Sequence, residues 1–182
     1  MRTLPEPDDE ALLRRVARGD GGAMGILHER LAPMLLLRLR ARCNDEELIR
    51  DVLQESFIAA WQAAAQWDGR GAVAGWLWTI TARRLVDAYR RRAVRDAAAD
   101  RNAATTTDET APSAESVVLD GVLDERLAMA IRGLSPELRA VLRATVLDGL
   151  STREASVLLG VPEGTVKARA FRARSALKQG LT

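Results

Sequence analysis

Apolar residues recur every three to four positions along most of this chain, the spacing of amphipathic helices. Nowhere do they alternate over a run long enough to argue for a sheet. The pattern predicts helices over residues 10–18, 21–42, 46–66, 73–92, 114–132 and 136–147, followed by a close terminal pair. Start signals agree with it. Asn44-Asp45-Glu46-Glu47 and Ser135-Pro136-Glu137 each place a capping side chain and early acids at a helix N-terminus, the second with a proline in the first turn. The periodicity fails from about Ala93 to Ser116, where Ala, Asp, Thr and Asn dominate, as in Thr105-Thr-Thr-Asp-Glu-Thr-Ala-Pro112. So few large apolar residues cannot bury enough surface to order a segment. The expected fold is all-α: a helical domain over residues 1–92, a flexible acidic linker over 93–116, and a second helical domain over 117–182.

The terminal pair is a helix-turn-helix in outline. Ser151 and Glu154 have capping-box spacing, Gly160 suits the left-handed residue that stops a helix, and Pro162 suits the first turn of the next. A short helix, a tight glycine turn and a longer second helix form the element that enters a DNA major groove. At about 100° per residue, Val166, Ala170, Ala173 and Leu177 share one apolar stripe that should pack inward. Thr165, Ala168, Phe171, Arg172 and Ser175 fall opposite, with Lys167, Arg174 and Lys178 along a flank. Gly164 and Ala168 would allow close approach to DNA. Arg172 could reach base edges, whereas Lys167, Arg174 and Lys178 suit phosphates. A solvated basic face on a terminal helix is the plainer alternative.

Charge sharpens this picture. The 182 residues carry a net +2, but residues 93–123 sum to −4 and residues 124–182 to +4. Such asymmetry says more about partners than the total does. Arginine greatly outnumbers lysine, which favours planar contacts to phosphates and bases, although a GC-rich genome gives the same bias. A single cysteine, Cys43, excludes an internal disulfide or a cysteine-based zinc site and reads as a packing residue. The N-terminus lacks the apolar core of a signal peptide, and no apolar run approaches a membrane span, so a cytoplasmic location is expected.

Two helices of the first domain carry further chemistry. In the segment Asp51-Val-Leu-Gln-Glu-Ser-Phe57, Leu53, Phe57, Ala60 and Trp61 form an apolar side, while Asp51, Gln54 and Glu55 sit together on the other face. In the helix from Gly75, Trp78, Ala82, Leu85 and Tyr89 should be core; Trp76, Ile80, Arg83, Arg84, Asp87 and Arg91 share the other face. Arg83 to Arg92 holds five arginines, Arg90 among them, and one aspartate. An aromatic ring beside a basic row is what single-stranded DNA binding needs, a stacking platform with cations tracking the backbone. Trp76 as ordinary core and the acidic face as plain solvated surface are the alternatives.

Taken together, three segments resemble the extracytoplasmic-function group of bacterial sigma factors in the sigma-70 family: Asp51-Val-Leu-Gln-Glu-Ser-Phe57; Trp67-Asp-Gly-Arg-Gly with Trp76-Leu-Trp-Thr-Ile; and Gly160-Val-Pro-Glu-Gly-Thr-Val-Lys-Ala-Arg169 with Arg172-Ala-Arg174. The resemblance implies a protein that binds core RNA polymerase and directs promoter-specific initiation, without catalysis and without a cofactor or metal. Asp51, Gln54 and Glu55 would contact the clamp helices of the polymerase's largest subunit. Trp76, Arg83, Arg84, Arg90 and Arg91 would hold the melted −10 strand. Thr165, Lys167, Ala168, Arg169, Phe171, Arg172 and Arg174 would meet the −35 duplex. The acidic linker would run toward the RNA exit path, and an anti-sigma partner would cover the polymerase-binding faces. Thr81-Ala82-Arg83 departs from the family's commoner Ala-Arg-Asn, at the place that would line a pocket for a flipped base; Val73 stands where Phe is commoner and Ile49-Arg50 replaces Ala-Glu, which read as subgroup variation. Two other readings stay open. A free-standing helix-turn-helix regulator would bind duplex without polymerase and leaves Trp76 beside five arginines without a role. An enzyme would need a site that one histidine, His28, and one cysteine do not suggest.

Overall fold

A computed structural model describes residues 7–99 and 125–180. All regular structure among the described residues is helical. Helix α1 (Asp9–Val16) begins on Asp8, whose carboxylate accepts from the Ala11 N–H at 2.7 Å. Helix α2 (Gly21–Arg40) begins likewise on Asp20, which accepts from Ala23 at 3.0 Å. Helix α3 (Glu46–Ala63) starts on Asp45, which accepts from both Glu47 and Leu48, and ends in a tight turn at Ala64–Gln66. After a glycine loop comes α4 (Val73–Ala99). The second half holds α5 (Glu125–Arg132), α6 (Pro136–Leu142) capped by Ser135, a single π-type turn (Arg143–Leu147), α7 (Thr152–Leu159) and α8 (Glu163–Gly180).

One boundary differs from expectation. Helix α4 does not stop at Arg92; it runs to Ala99 with residues 91–98 all exposed. Its last turns therefore owe nothing to burial. Alanine and arginine are strong helix formers, and Arg92 ties the extension down through Asp45 at 3.1 Å and Asp96 at 4.0 Å. The remainder of the expected linker, residues 100–116, and the first part of the expected 114–132 helix lie outside the described residues.

The core is continuous. Leu12 and Leu13 of α1, Leu35 and Leu39 of α2, Ile49 and Val52 of α3, and Trp78, Leu85 and Val86 of α4 are all at most 1% exposed. The same apolar cluster extends into the second half through Val141, Leu150, Ala155, Leu158 and Val166. A smaller cluster of Leu134, Leu142 and Ala173 seals α6 against α8.

The caps give the fold a defined sensitivity to acid. The Ala23 N–H and Arg15 hold Asp20 below its ordinary 3.8. The Leu48 N–H does most to lower Asp45; burial opposes it, and the Glu47 N–H and Arg92 add to the lowering. Burial pushes Glu154 up, but the Ser151 N–H and hydroxyl, with Arg83 and Arg90, together bring it below 4.5. Carboxylates depressed on folding contribute stability above their unfolded pKa and lose it as pH falls through the folded value. The urea midpoint should therefore stay level from pH 7 to about 5.5 and drop progressively below about 4.5. A midpoint that rises below that pH would contradict the assignment.

Candidate polymerase and nucleic-acid interfaces

The helix-turn-helix is fixed by local chemistry. The Ser151 hydroxyl accepts from the Glu154 N–H at 3.2 Å, and the Glu154 carboxylate accepts from the Ser151 N–H at 2.8 Å, completing the capping box. Gly160 takes φ 63°, which only glycine adopts without strain, and ends α7. Across the turn, the Ser156 hydroxyl donates to the Val161 carbonyl at 2.7 Å, and Thr152 donates to the Glu163 carboxylate at 2.9 Å. The angle between α7 and α8 is thus set by side chains from both.

On α8, Val166, Ala170 and Ala173 are buried and Leu177 is half-buried, so the inward stripe is where the periodicity puts it. Lys167, Ala168, Phe171, Arg172, Arg174 and Lys178 are exposed, and Thr165, Arg169 and Ser175 are half-buried beside them. Phe171 is 72% exposed, a large ring held in water among cations. Lys167 pairs with Glu163 at 2.9 Å, whereas Arg169, Arg172 and Arg174 make no ion pair among the described residues.

Trp76 and Ile80 of α4 are half-buried and pack against the core. The preceding loop turns through Gly69 and Gly71, at φ 77° and 73°, with the Asp68 carboxylate accepting from the Arg70 N–H at 3.0 Å. Arg83 is exposed and reaches Glu154 at 3.9 Å; Arg84 is half-buried. The row continues through Arg90, paired with Asp87 at 3.2 Å, to Arg91, which donates to Glu55 at 3.1 Å.

That last pair joins two expected faces. Asp51 and Gln54 of α3 are exposed, while Glu55 turns toward Arg91 and α4. Leu53, Phe57 and Ala60 pack inward as the pattern implies, but Trp61 does not: it is 39% exposed, and Ile58 is 52% exposed. Counted from Asp51, these two residues sit two and three turns along the outward face, which places them there rather than on the inward side assigned to Trp61.

The sequence gives no hint of Asp148. It is 1% exposed and the one buried charged residue among those described. Arg42, in the turn just after α2, grips both its oxygens, Nη2 to Oδ1 at 2.8 Å and Nε to Oδ2 at 3.0 Å. Trp78 of α4 donates its indole N–H to Oδ1 at 2.7 Å. The Arg42 guanidinium lies 4.6 Å from the centre of the Trp78 ring, with Arg38 at 5.4 Å, close enough for cation–π attraction. Arg42 is itself held by the Arg38 carbonyl at 2.7 Å, and Tyr89 donates to the Arg42 carbonyl at 3.0 Å. Burial lowers the Arg42 pKa, an effect that Asp148 opposes. In the sequence, Asp148-Gly149 reads as an ordinary turn, and its partners lie 106 and 70 residues away. Cys43 is buried beside this site, its sulfur accepting from the Asp45 N–H, as a packing residue would.

A capped helix-turn-helix with a cationic outer face, joined to a helical unit bearing an acidic and a basic face, defines a DNA-binding transcription factor. Comparison with known proteins gives the family. Residues 27–95 match Sigma-70 region 2, and residues 124–177 match Sigma-70, region 4. The RNA polymerase sigma-H factor of Pseudomonas aeruginosa is 30% identical over 98% of this chain and 96% of its own length. The ECF RNA polymerase sigma-E factor of Haemophilus influenzae is 31% identical over 93% of each. Among solved structures, CnrH in complex with the cytosolic domain of CnrY is 29% identical, covering 95% of this chain and 96% of that one, with a TM-score of 0.45. The chain belongs to the sigma-70 family, in its extracytoplasmic-function group. It is a sigma factor: not an enzyme, but the component that binds core RNA polymerase and promoter DNA and directs promoter-specific initiation. Among the described residues no helix is long and apolar enough to cross a membrane.

Proposed function

We propose that the two units divide promoter recognition between them, acting in the cytoplasm. The N-terminal unit, residues 1–92, docks on core polymerase through Asp51, Gln54 and Glu55. It holds the melted −10 strand with Trp76, Arg83, Arg84, Arg90 and Arg91. The C-terminal unit, residues 117–182, reads the −35 duplex with Thr165, Lys167, Ala168, Arg169, Phe171, Arg172 and Arg174. The observation that carries this reading is α8. Its inward stripe is buried while Phe171, Arg172 and Arg174 stand free, and Phe171 is placed for apolar contact with a thymine methyl. Half-buried Trp76 is only partly covered and so offers ring surface for stacking, and the ion pairs of Arg90 and Arg91 are exposed ones that a phosphate can displace at little cost. Each reader binds weakly alone; holding both on one polymerase raises their effective concentration. An anti-sigma partner would act by covering the same faces.

The two roles on α8 separate by mutation. Arg172→Ala should cost about 1–3 kcal/mol on a matched −35 duplex and much less on a scrambled one. Lys167→Ala should weaken both alike and lower the salt slope by about one. Fluorescence anisotropy over a salt series with both duplexes decides it. Equal loss on both for Arg172→Ala would remove that residue from base reading.

A further inference from the structure

Glu163 is the one acid on α8, and it stands in the first turn, ahead of five lysines and arginines. A carboxylate on a helix that meets DNA calls for a reason, because the phosphates repel it. Its placement is fixed from two sides. The Thr152 hydroxyl, from the first turn of α7, donates to Oε1 at 2.9 Å, and the Lys167 ammonium, one turn further along α8, lies 2.9 Å from the same oxygen. Oε2 makes no hydrogen bond among the described residues. The side chain is 41% exposed, and a Cβ on the neighbouring Gly164 would meet nothing within 4 Å, so the approach is open. Lys167 first, then Thr152, hold the carboxyl below its ordinary 4.5, which keeps it anionic at neutral pH. The dipole of any helix favours an acid in its first turn. That stabilisation needs neither a tie to α7 nor an oxygen left unbonded.

In a helix-turn-helix, the N-terminal residues of the second helix meet base edges in the major groove while the first helix crosses the backbone. We infer that Glu163 is a base reader of the −35 duplex and that it selects cytosine, whose N4 amino group donates to Oε2. An ionised carboxylate can only accept. Guanine offers the groove N7 and O6, and thymine offers O4, all acceptors that a carboxylate repels. Adenine sets its N6 donor beside the N7 acceptor, whereas cytosine offers a donor alone. Lys167, with a side chain 64% exposed, can turn to a phosphate on binding while Thr152 keeps the carboxylate aimed. Glu163 and Arg172 stand nine residues, about 13 Å, apart along α8, so they read different base pairs. This role rests on α8 being the −35 reader, and adds to that reading a residue and a base.

The test equilibrates the full chain with a duplex library that carries the upstream region of its own gene, randomised across the −35 element, and counts the bound sequences. Wild type should prefer cytosine at one position by about tenfold over the other bases. Glu163→Gln keeps the size and the Thr152 contact, but a glutamine pairs best with adenine through N6 and N7. The preferred base at that one position should therefore change from cytosine to adenine, with the other positions unaltered. Thr152→Val should flatten the cytosine preference there without installing adenine, as loss of a positioning residue would. A purely structural Glu163 predicts that Glu163→Gln shifts affinity evenly and leaves every base preference as in wild type; that result overturns the proposal. Preferences that respond to Arg172→Ala but not to Glu163→Gln keep α8 as the reader and remove Glu163. A wild-type protein with no base preference anywhere in the element overturns both. If circular dichroism shows that Glu163→Gln does not fold, Thr152→Val decides: an unaltered base profile overturns the proposal.

Discussion

Truncating Trp78 to alanine should destabilise the protein by about 3–5 kcal/mol, against a total stability of roughly 5–15 kcal/mol for a chain of this kind. Three losses coincide. The indole is wholly buried among the helices of the first half, so its removal leaves a cavity that packed helices can close only in part. Its N–H is one of the bonds to buried Asp148, and its ring lies under the Arg42 guanidinium. Trp76, two residues away, is only half-buried, and alanine there should cost far less while impairing single-strand binding. Denaturant unfolding of the two variants side by side checks the contrast. A Trp76→Ala protein less stable than Trp78→Ala would mean that the two faces of α4 are assigned the wrong way round.

The second large effect is expected at α3. Asp51→Arg puts a cation in the middle of the exposed face that also presents Gln54, Ile58 and Trp61. If a basic or polar surface of core polymerase docks there, a like or mismatched charge costs several kcal/mol and affinity for core enzyme should fall by about a hundredfold or more. The substitution lies on the surface, so the unfolding midpoint should move little, and binding to −35 duplex should be untouched. Reversing Glu55 is a less clean experiment, because it also breaks the pair with Arg91. Competition against labelled wild-type protein for core enzyme gives the number, and an unchanged affinity would take Asp51 out of the interface.

Much of this architecture is legible in the residues because it is local. A cap, a left-handed glycine and a three-to-four residue apolar period each act within one or two turns, so the starts at Glu46, Pro136 and Thr152 and the inward stripe of α8 follow directly. What is not legible depends on partners distant in sequence or on the balance of weak terms. Residues 93–99 have no large apolar residue except Val94, which is 70% exposed, and so look like linker; helix propensity and an ion pair to Asp45 carry them nonetheless. Trp61 looks like core by residue type, yet stands on the outward face. Asp148 looks like half of a turn, and only the approach of α2 and α4 from the other half gives it a role. The face residues of α3, α4 and α8 are legible as surfaces, with charge and spacing to suggest a partner, but which base or which polymerase residue each meets is not encoded in a single chain.

The division of labour proposed for the two units meets its most direct test in transcription itself. Purified protein would be added to sigma-free core RNA polymerase on a fragment carrying the upstream region of its own gene, with the Asp51→Arg protein alongside. Transcripts from one discrete start site, present with wild type and lost with Asp51→Arg, are the predicted result. Tight binding to duplex DNA with no association with core polymerase and no defined start would contradict it.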